Sequence, residues 1–119
     1  MQYLLLIYDT ETNVERDMPE NDYARFMAEY AAFSEKLAAS GRLINANRLH
    51  SVTNATTVRI RDGKRQLTDG PFAETREQLG GYYLIEAKDL DEATEIAAGI
   101  PSAKIGSIEI RPVWEMGKY

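Results

Sequence analysis

The segment Tyr3-Leu4-Leu5-Leu6-Ile7-Tyr8, closed by Asp9, is apolar at every position of both alternating sets. A strand with one wet face alternates apolar and polar side chains, so a strand lacking that alternation needs cover on both sides. The run is far shorter than the roughly 20 apolar residues of a membrane helix. It also lacks the charged leader and small-residue cleavage site of a secretion signal. Residues 2–8 therefore predict a strand covered on both faces, in a soluble cytoplasmic protein.

The rest of the chain supplies two helices and further strands. Residues 19–40 predict a helix, with Pro19 in the first turn, Glu20 and Asp22 at the positive end of the dipole, and Gly41 as the stop. Tyr23, Phe26, Met27, Tyr30, Phe33 and Leu37 recur at spacings of three and four and make one apolar stripe. Residues 42–50, 56–61 and 64–68 read as extended, and Asp62-Gly63 is a hairpin turn. Asp69-Gly70-Pro71-Phe72 must break the strand that precedes it. Gly80-Gly81 leads into a strand from Tyr82 to Ala87. Asp89, with Glu92 three residues on, opens a second helix whose inner face is Ala93, Ile96, Ala97 and Ile100. Residues 107–113 predict a final strand.

This order, β-α-β, a hairpin, then β-α-β, predicts an α+β fold, a ferredoxin-like sandwich with an extra hairpin, as one domain over residues 1–119. Two helices cover only one face of such a sheet. The simplest cover for the other face is a second copy, so a homodimer packed sheet to sheet is expected.

Composition removes several chemistries. The chain has 119 residues, no cysteine and one histidine, His50, with 14 Lys+Arg against 19 Asp+Glu and a net charge of −5. Disulfides, iron–sulfur clusters, thiol nucleophiles and multi-histidine metal sites are excluded within one chain. The acidic balance argues against direct nucleic-acid binding. No cofactor or metal is expected.

The stretch Thr68-Asp69-Gly70-Pro71-Phe72-Ala73-Glu74-Thr75-Arg76-Glu77-Gln78-Leu79-Gly80-Gly81-Tyr82-Tyr83 closely resembles the signature of the DGPF-type YCII-related proteins. The first strand, Ala55-Thr56-Thr57-Val58-Arg59, Asp91-Glu92-Ala93, Ile100-Pro101 and Ile108-Glu109-Ile110-Arg111-Pro112-Val113 extend the resemblance almost end to end. It implies a dimeric α+β barrel and carries no defined reaction with it. Broader members hold a His on the first helix and an Asp before the proline after the second helix. The matching register places Tyr30 and Ile100 there, and neither can serve in such a dyad at neutral pH, since a tyrosine ionises near ~10 and isoleucine not at all. The resemblance also implies a contextual link to sigma-factor-like proteins.

The candidate site residues gather around the 69–81 loop. Asp69 and Glu74 are candidate acid/base groups, with Arg76 and Gln78 as ligand contacts. The same residues equally suit an Asx turn, a helix cap and a local ion pair. His50 is the one side chain whose ordinary pKa lies near neutrality. Tyr8, Tyr30, Tyr82 and Tyr83 suit either a pocket wall or core packing. Two function classes stay open: a small enzyme that binds a compact molecule between the first helix, the sheet and the loop, or a non-catalytic ligand-sensing or regulatory dimer tied to sigma-factor-dependent transcription.

Overall fold

Strand β1 (Gln2–Asp9) lies inside the main sheet, with a neighbour on each side, in the computed structural model, which describes residues 1–10, 18–73 and 75–115. Its odd residues Tyr3, Leu5, Ile7 and Asp9 are buried, while Leu4, Leu6 and Tyr8 on the other face are partly exposed. Strands β5 (Gln78–Glu86) and β6 (Ser107–Pro112) flank β1 antiparallel, and β2 (Leu43–Arg48) pairs with β5, giving the order β2-β5-β1-β6. Helices α1 (Glu20–Ala39) and α2 (Leu90–Ala98) lie on the odd-residue face. Strands β3 (Thr56–Arg61) and β4 (Lys64–Asp69) form a separate hairpin. The result is an α+β fold of ferredoxin-like type with that hairpin inserted.

The core lies between the sheet and the helices. Leu5, Ile85 and Ile100 are fully buried there, joined by Leu37, Tyr83, Ala93 and Ala97. Each large aliphatic side chain so buried contributes roughly 1.5–3 kcal/mol. At α2, Asp89 Oδ1 accepts the Glu92 backbone N–H at 2.9 Å, the expected cap. The Glu92 carboxylate in turn accepts the Lys88 N–H and both Nε and NH2 of Arg42, at 3.2, 3.0 and 3.2 Å. That fork ties α2 to the start of β2.

The turns follow their residues. Asp62 and Gly63 take φ of 52° and 73°, the paired left-handed conformation of a tight hairpin turn. Strand β4 stops at Asp69, and the Gly70 N–H then bonds to the Ala55 carbonyl at 2.7 Å, clipping the hairpin at its root. At Gly106 a Cβ would overlap the Tyr8 carbonyl oxygen, so only glycine lets the chain enter β6 beside the end of β1.

One boundary departs from expectation. Strand β5 begins at Gln78 rather than Tyr82 and runs through Gly80-Gly81 instead of starting after them. Ile7 pairs with Gly81 but Tyr8 pairs with Leu79, so Gly80 is the extra residue of a bulge. A Cβ on Gly81 would sit 2.9 Å from the Asn47 carbonyl oxygen, so glycine here permits close approach of β2. The two glycines are strand residues for these reasons.

Candidate functional site

The apolar stripe of α1 meets two surroundings. Near its C-terminal end Leu37 is buried, and Phe33 packs edge-to-face on Tyr83 with ring centroids 5.3 Å apart. Nearer the N-terminus, Phe26 and Met27 are only half-buried because the helix stands off the sheet. The gap is a cavity of about 320 Å³, within the range of small-molecule sites. Its walls come from α1, the ends of β1 and β2, the first half of β5 and the turn after α2.

Two hydroxyl pairs line this cavity. Tyr30 Oη and Ser102 Oγ lie 2.5 Å apart, joining α1 to the 3₁₀ turn Pro101–Lys104. Tyr83 Oη and Ser34 Oγ are also 2.5 Å apart, and Ser34 lies four residues after Tyr30 on the same helical face. Ser102 is 4% exposed. Burial raises the pKa of Tyr30, and the nearby Tyr83 and Asp9 raise it further, against the lowering effect of the Ser102 hydrogen bond. Burial also raises Tyr83, opposed by Ser34. Burial thus favours the neutral form of both phenols, and in each pair either hydroxyl can be the donor.

Polar groups reach the cavity from other elements as well. Asp9, at the end of β1, is 9% exposed and pairs in register with Gln78. The Gly80 bulge accounts for that partnership, because it shifts the alternation and turns Gln78 to the same face as Asp9. Arg48, on the last residue of β2, donates from NH1 to Tyr23 Oη at 3.3 Å. His50 follows it as an exposed residue of the cavity wall.

The structure thus brings Tyr30, His50, Gln78 and Tyr82 to one cavity. It does not bring the described candidates Asp69, Arg76 and the Tyr8 side chain there. Asp69 is exposed at the end of β4, and Arg76 is exposed in the loop before β5. Glu74 lies outside the described residues. Tyr8 projects on the opposite face of the sheet, where burial and a hydrogen bond to Glu109 raise its pKa. Tyr82 sends its hydroxyl to that same face, accepting from Asn47 Nδ2 at 2.8 Å, so its contribution to the cavity wall is the base of the residue. Glu77 is tied to β6 by a 2.8 Å hydrogen bond from Ser107 Oγ.

Asp9, Ser34, Arg48 and Ser102 carry polar groups of the cavity that the sequence reading does not single out. Asp9 was legible as the polar residue that closes the first strand, whereas Arg48 ends β2 on the far side of β5. Ser102 is two residues beyond Ile100, where the resemblance points, but Ile100 itself is wholly buried core. Among the described residues no group of three or more His, Asp or Glu side chains is placed to hold a metal ion. Among the described residues no helix is long and apolar enough to cross a membrane.

The cavity beneath α1 is mostly apolar with a few polar groups converging on it, which is the usual make-up of a small-molecule site. The chain belongs to the YCII-related domain family, whose match spans residues 1–117. It is 39% identical over 115 residues to an uncharacterized protein of Rhizobium meliloti (strain 1021), covering 95% of this chain and 92% of that one. Its fold is similar to that of 5-chloro-2-hydroxyhydroquinone dehydrochlorinase from Burkholderia phenoliruptrix AC1100, solved with 2,5-dihydroxybenzoquinone. The TM-score is 0.53 at 17% identity, over 99% of this chain and 97% of that one.

Proposed function

We propose that this protein is a small-molecule enzyme that moves a proton on a compact, oxygen-bearing ligand held in the cavity under α1. The observation that carries this reading is the convergence of the Tyr30–Ser102 hydroxyl pair and the buried Asp9 carboxylate on one cavity. Asp9 is the proton acceptor, since a carboxylate in a water-poor wall is suited to general base work. Tyr30, kept neutral by burial, donates to the ligand oxygen on which negative charge develops. Arg48 and His50 stand on the open side and favour an anionic group there. Phe26 and Met27 offer apolar and aromatic surface to a ring.

A planar hydroxylated ring suits these walls, and the ligand of the dehydrochlorinase of similar fold, 2,5-dihydroxybenzoquinone, is the first compound to try. Calorimetric titration with it and with a series of small dihydroxybenzenes tests the reading. Binding that weakens at least tenfold in both Tyr30→Phe and Asp9→Asn, each with unchanged circular dichroism, supports it. Wild-type protein that binds none of the series, or variants that bind as wild type does, overturns it. This reading places the chemistry under α1 and leaves Asp69 and Arg76 outside it.

We further infer that the partly exposed face carrying Leu4, Leu6 and Leu84 is covered by a second copy, giving the sheet-to-sheet pair expected from the doubly apolar β1. The cavity lies on the opposite, helix-bearing side of the sheet from that packing.

A further inference from the structure

The cavity under α1 is charged at two ends and apolar between them. Among the described residues of its wall, Asp9 is the carboxylate and Arg48 the guanidinium. The chain carries 19 Asp+Glu against 14 Lys+Arg, so a wall holding one of each departs from the acidic balance of the whole. Asp9 is buried, whereas Arg48 is exposed at the end of β2. His50, exposed two residues further on, belongs to the same wall.

Strand register and helix pitch set the separation of the two ends. Ile7 and Arg48 both pair with Gly81, so Arg48 stands two strand spacings, roughly 10 Å, from β1. Asp9 lies two residues beyond Ile7 and faces the same side of the sheet. On α1, Tyr23 and Tyr30 are nearly two turns apart on one face, roughly 10 Å of helix. Tyr30 stands at the Asp9 end: burial first, and then the charges of Tyr83 and Asp9, raise its pKa. Tyr23 stands at the Arg48 end, where its Oη accepts from NH1 of Arg48 at 3.3 Å. Phe26 and Met27 lie between the two tyrosines along α1 and line the cavity. A space of about 320 Å³ drawn out in this way takes one ring with a substituent at each end.

We propose that Arg48 selects a carboxylate on the ligand, so that the substrate class is a hydroxylated aromatic carboxylate, its hydroxyl at Asp9 and Tyr30 and its carboxylate at Arg48. This rests on the reading of the cavity as a small-molecule site and adds which ring that site prefers. A guanidinium presents its N–H groups as a planar fork that matches a carboxylate through two parallel hydrogen bonds. The apolar stretch at Phe26 and Met27 disfavours a ligand charged along its length, because a charge there is desolvated without a partner. A carboxylate at the inner end would meet Asp9, and two carboxylates sharing a site oppose each other's ionisation. The ligand is therefore oriented with its carboxylate outward and its hydroxyl inward. The chain's net charge of −5 works against anions in general, so the preference comes from this local cation. Because the guanidinium is exposed, the preference weakens as salt screens it.

Calorimetric titration of the full chain with matched pairs isolates the carboxylate: hydroquinone against gentisate, and catechol against protocatechuate. Wild type is expected to bind the carboxylated member of at least one pair tenfold or more tightly, by a margin that shrinks from low to high salt. Arg48→Gln is expected to bring that ratio close to one. Arg48→Lys should keep part of it, since lysine retains the charge without the fork. Circular dichroism of both variants should match that of wild type. If hydroquinone and catechol bind and neither carboxylated ring binds more tightly, the carboxylate site is overturned and the proton-transfer reading stands. A preference that Arg48→Gln leaves whole overturns the assignment to Arg48. If the preference follows Arg48 while Tyr30→Phe and Asp9→Asn bind every ligand as wild type does, the proton-transfer reading fails and the carboxylate site stands. Wild-type protein that binds none of the four overturns both.

Discussion

Tyr30 and Ser102, 72 residues apart, share a 2.5 Å hydrogen bond that fastens the middle of α1 to the turn after α2. Tyr30→Phe removes one hydroxyl and strands the other in a position that is 4% exposed. The expected loss is about 1–3 kcal/mol of unfolding free energy, the cost of a buried group without its partner. Ser102→Ala should cost a similar amount. The double variant should lose less than the sum of the two, by at least about 0.5 kcal/mol, because both single changes break one interaction. Urea denaturation of the four proteins measures this, and strict additivity would show that the two hydroxyls are not coupled.

The alkaline side of the stability curve follows from the same tyrosines. Burial raises both Tyr30 and Tyr83 above the ordinary 10.0, so the folded chain holds these protons longer than the unfolded chain does. The stabilisation is complete below 10.0 and is lost as pH rises from there through the raised folded values. Thermal midpoints should fall across that interval, and Tyr30→Phe/Tyr83→Phe should flatten the fall. Near-ultraviolet tyrosinate absorbance gives an independent reading: part of the tyrosine signal should appear only on unfolding.

Much of this frame was legible before the structure, and the reasons are local. Asp62-Gly63 demands a left-handed turn, Asp89 with Glu92 demands a helix start, and the doubly apolar β1 demands cover on both faces, of which the helices supply one. The cavity was not legible in the same way. Phe26 and Met27 satisfy the same periodicity as Leu37, and nothing in spacing says which part of a stripe meets the sheet and which faces a gap. Gln78 reached the cavity face through a bulge at Gly80, a register shift that alternation alone does not announce. Ser102 acquired its partner through a contact spanning most of the chain. Long-range pairs of this kind depend on how elements dock, whereas the candidates of the 69–81 loop were read from their closeness in sequence.

The acid side of the curve centres on Arg42 and Glu92. The hydrogen bonds from Arg42 lower the Glu92 pKa first, helped by the Lys88 backbone N–H. A carboxylate held below its ordinary 4.5 stabilises the fold above that value and ceases to do so as pH falls through its lower folded pKa. Glu92→Gln should therefore narrow the gap in thermal midpoint between pH 7 and acid relative to wild type. A variant whose midpoint falls as steeply as that of wild type below 4.5 would assign the acid sensitivity to other carboxylates.

Ile100 stands where the wider family resemblance expects an aspartate, and its environment decides what that substitution would do. It is 0% exposed and belongs to the core that contains Leu5 and Ile85. A carboxylate there would be either charged without a partner or forced to take a proton in an apolar site. Ile100→Asp is thus expected to cost about 3–5 kcal/mol, the range for an uncompensated buried charge. Ile100→Val, which only removes a methylene from the same place, should cost about 0.5–1.5 kcal/mol. Adding Tyr30→His to Ile100→Asp should not recover the loss, since Tyr30 points to Ser102 and its removal breaks that bond as well. Guanidinium unfolding of the three variants tests this directly; near-native stability of Ile100→Asp would mean that the turn after α2 can open to water at that residue.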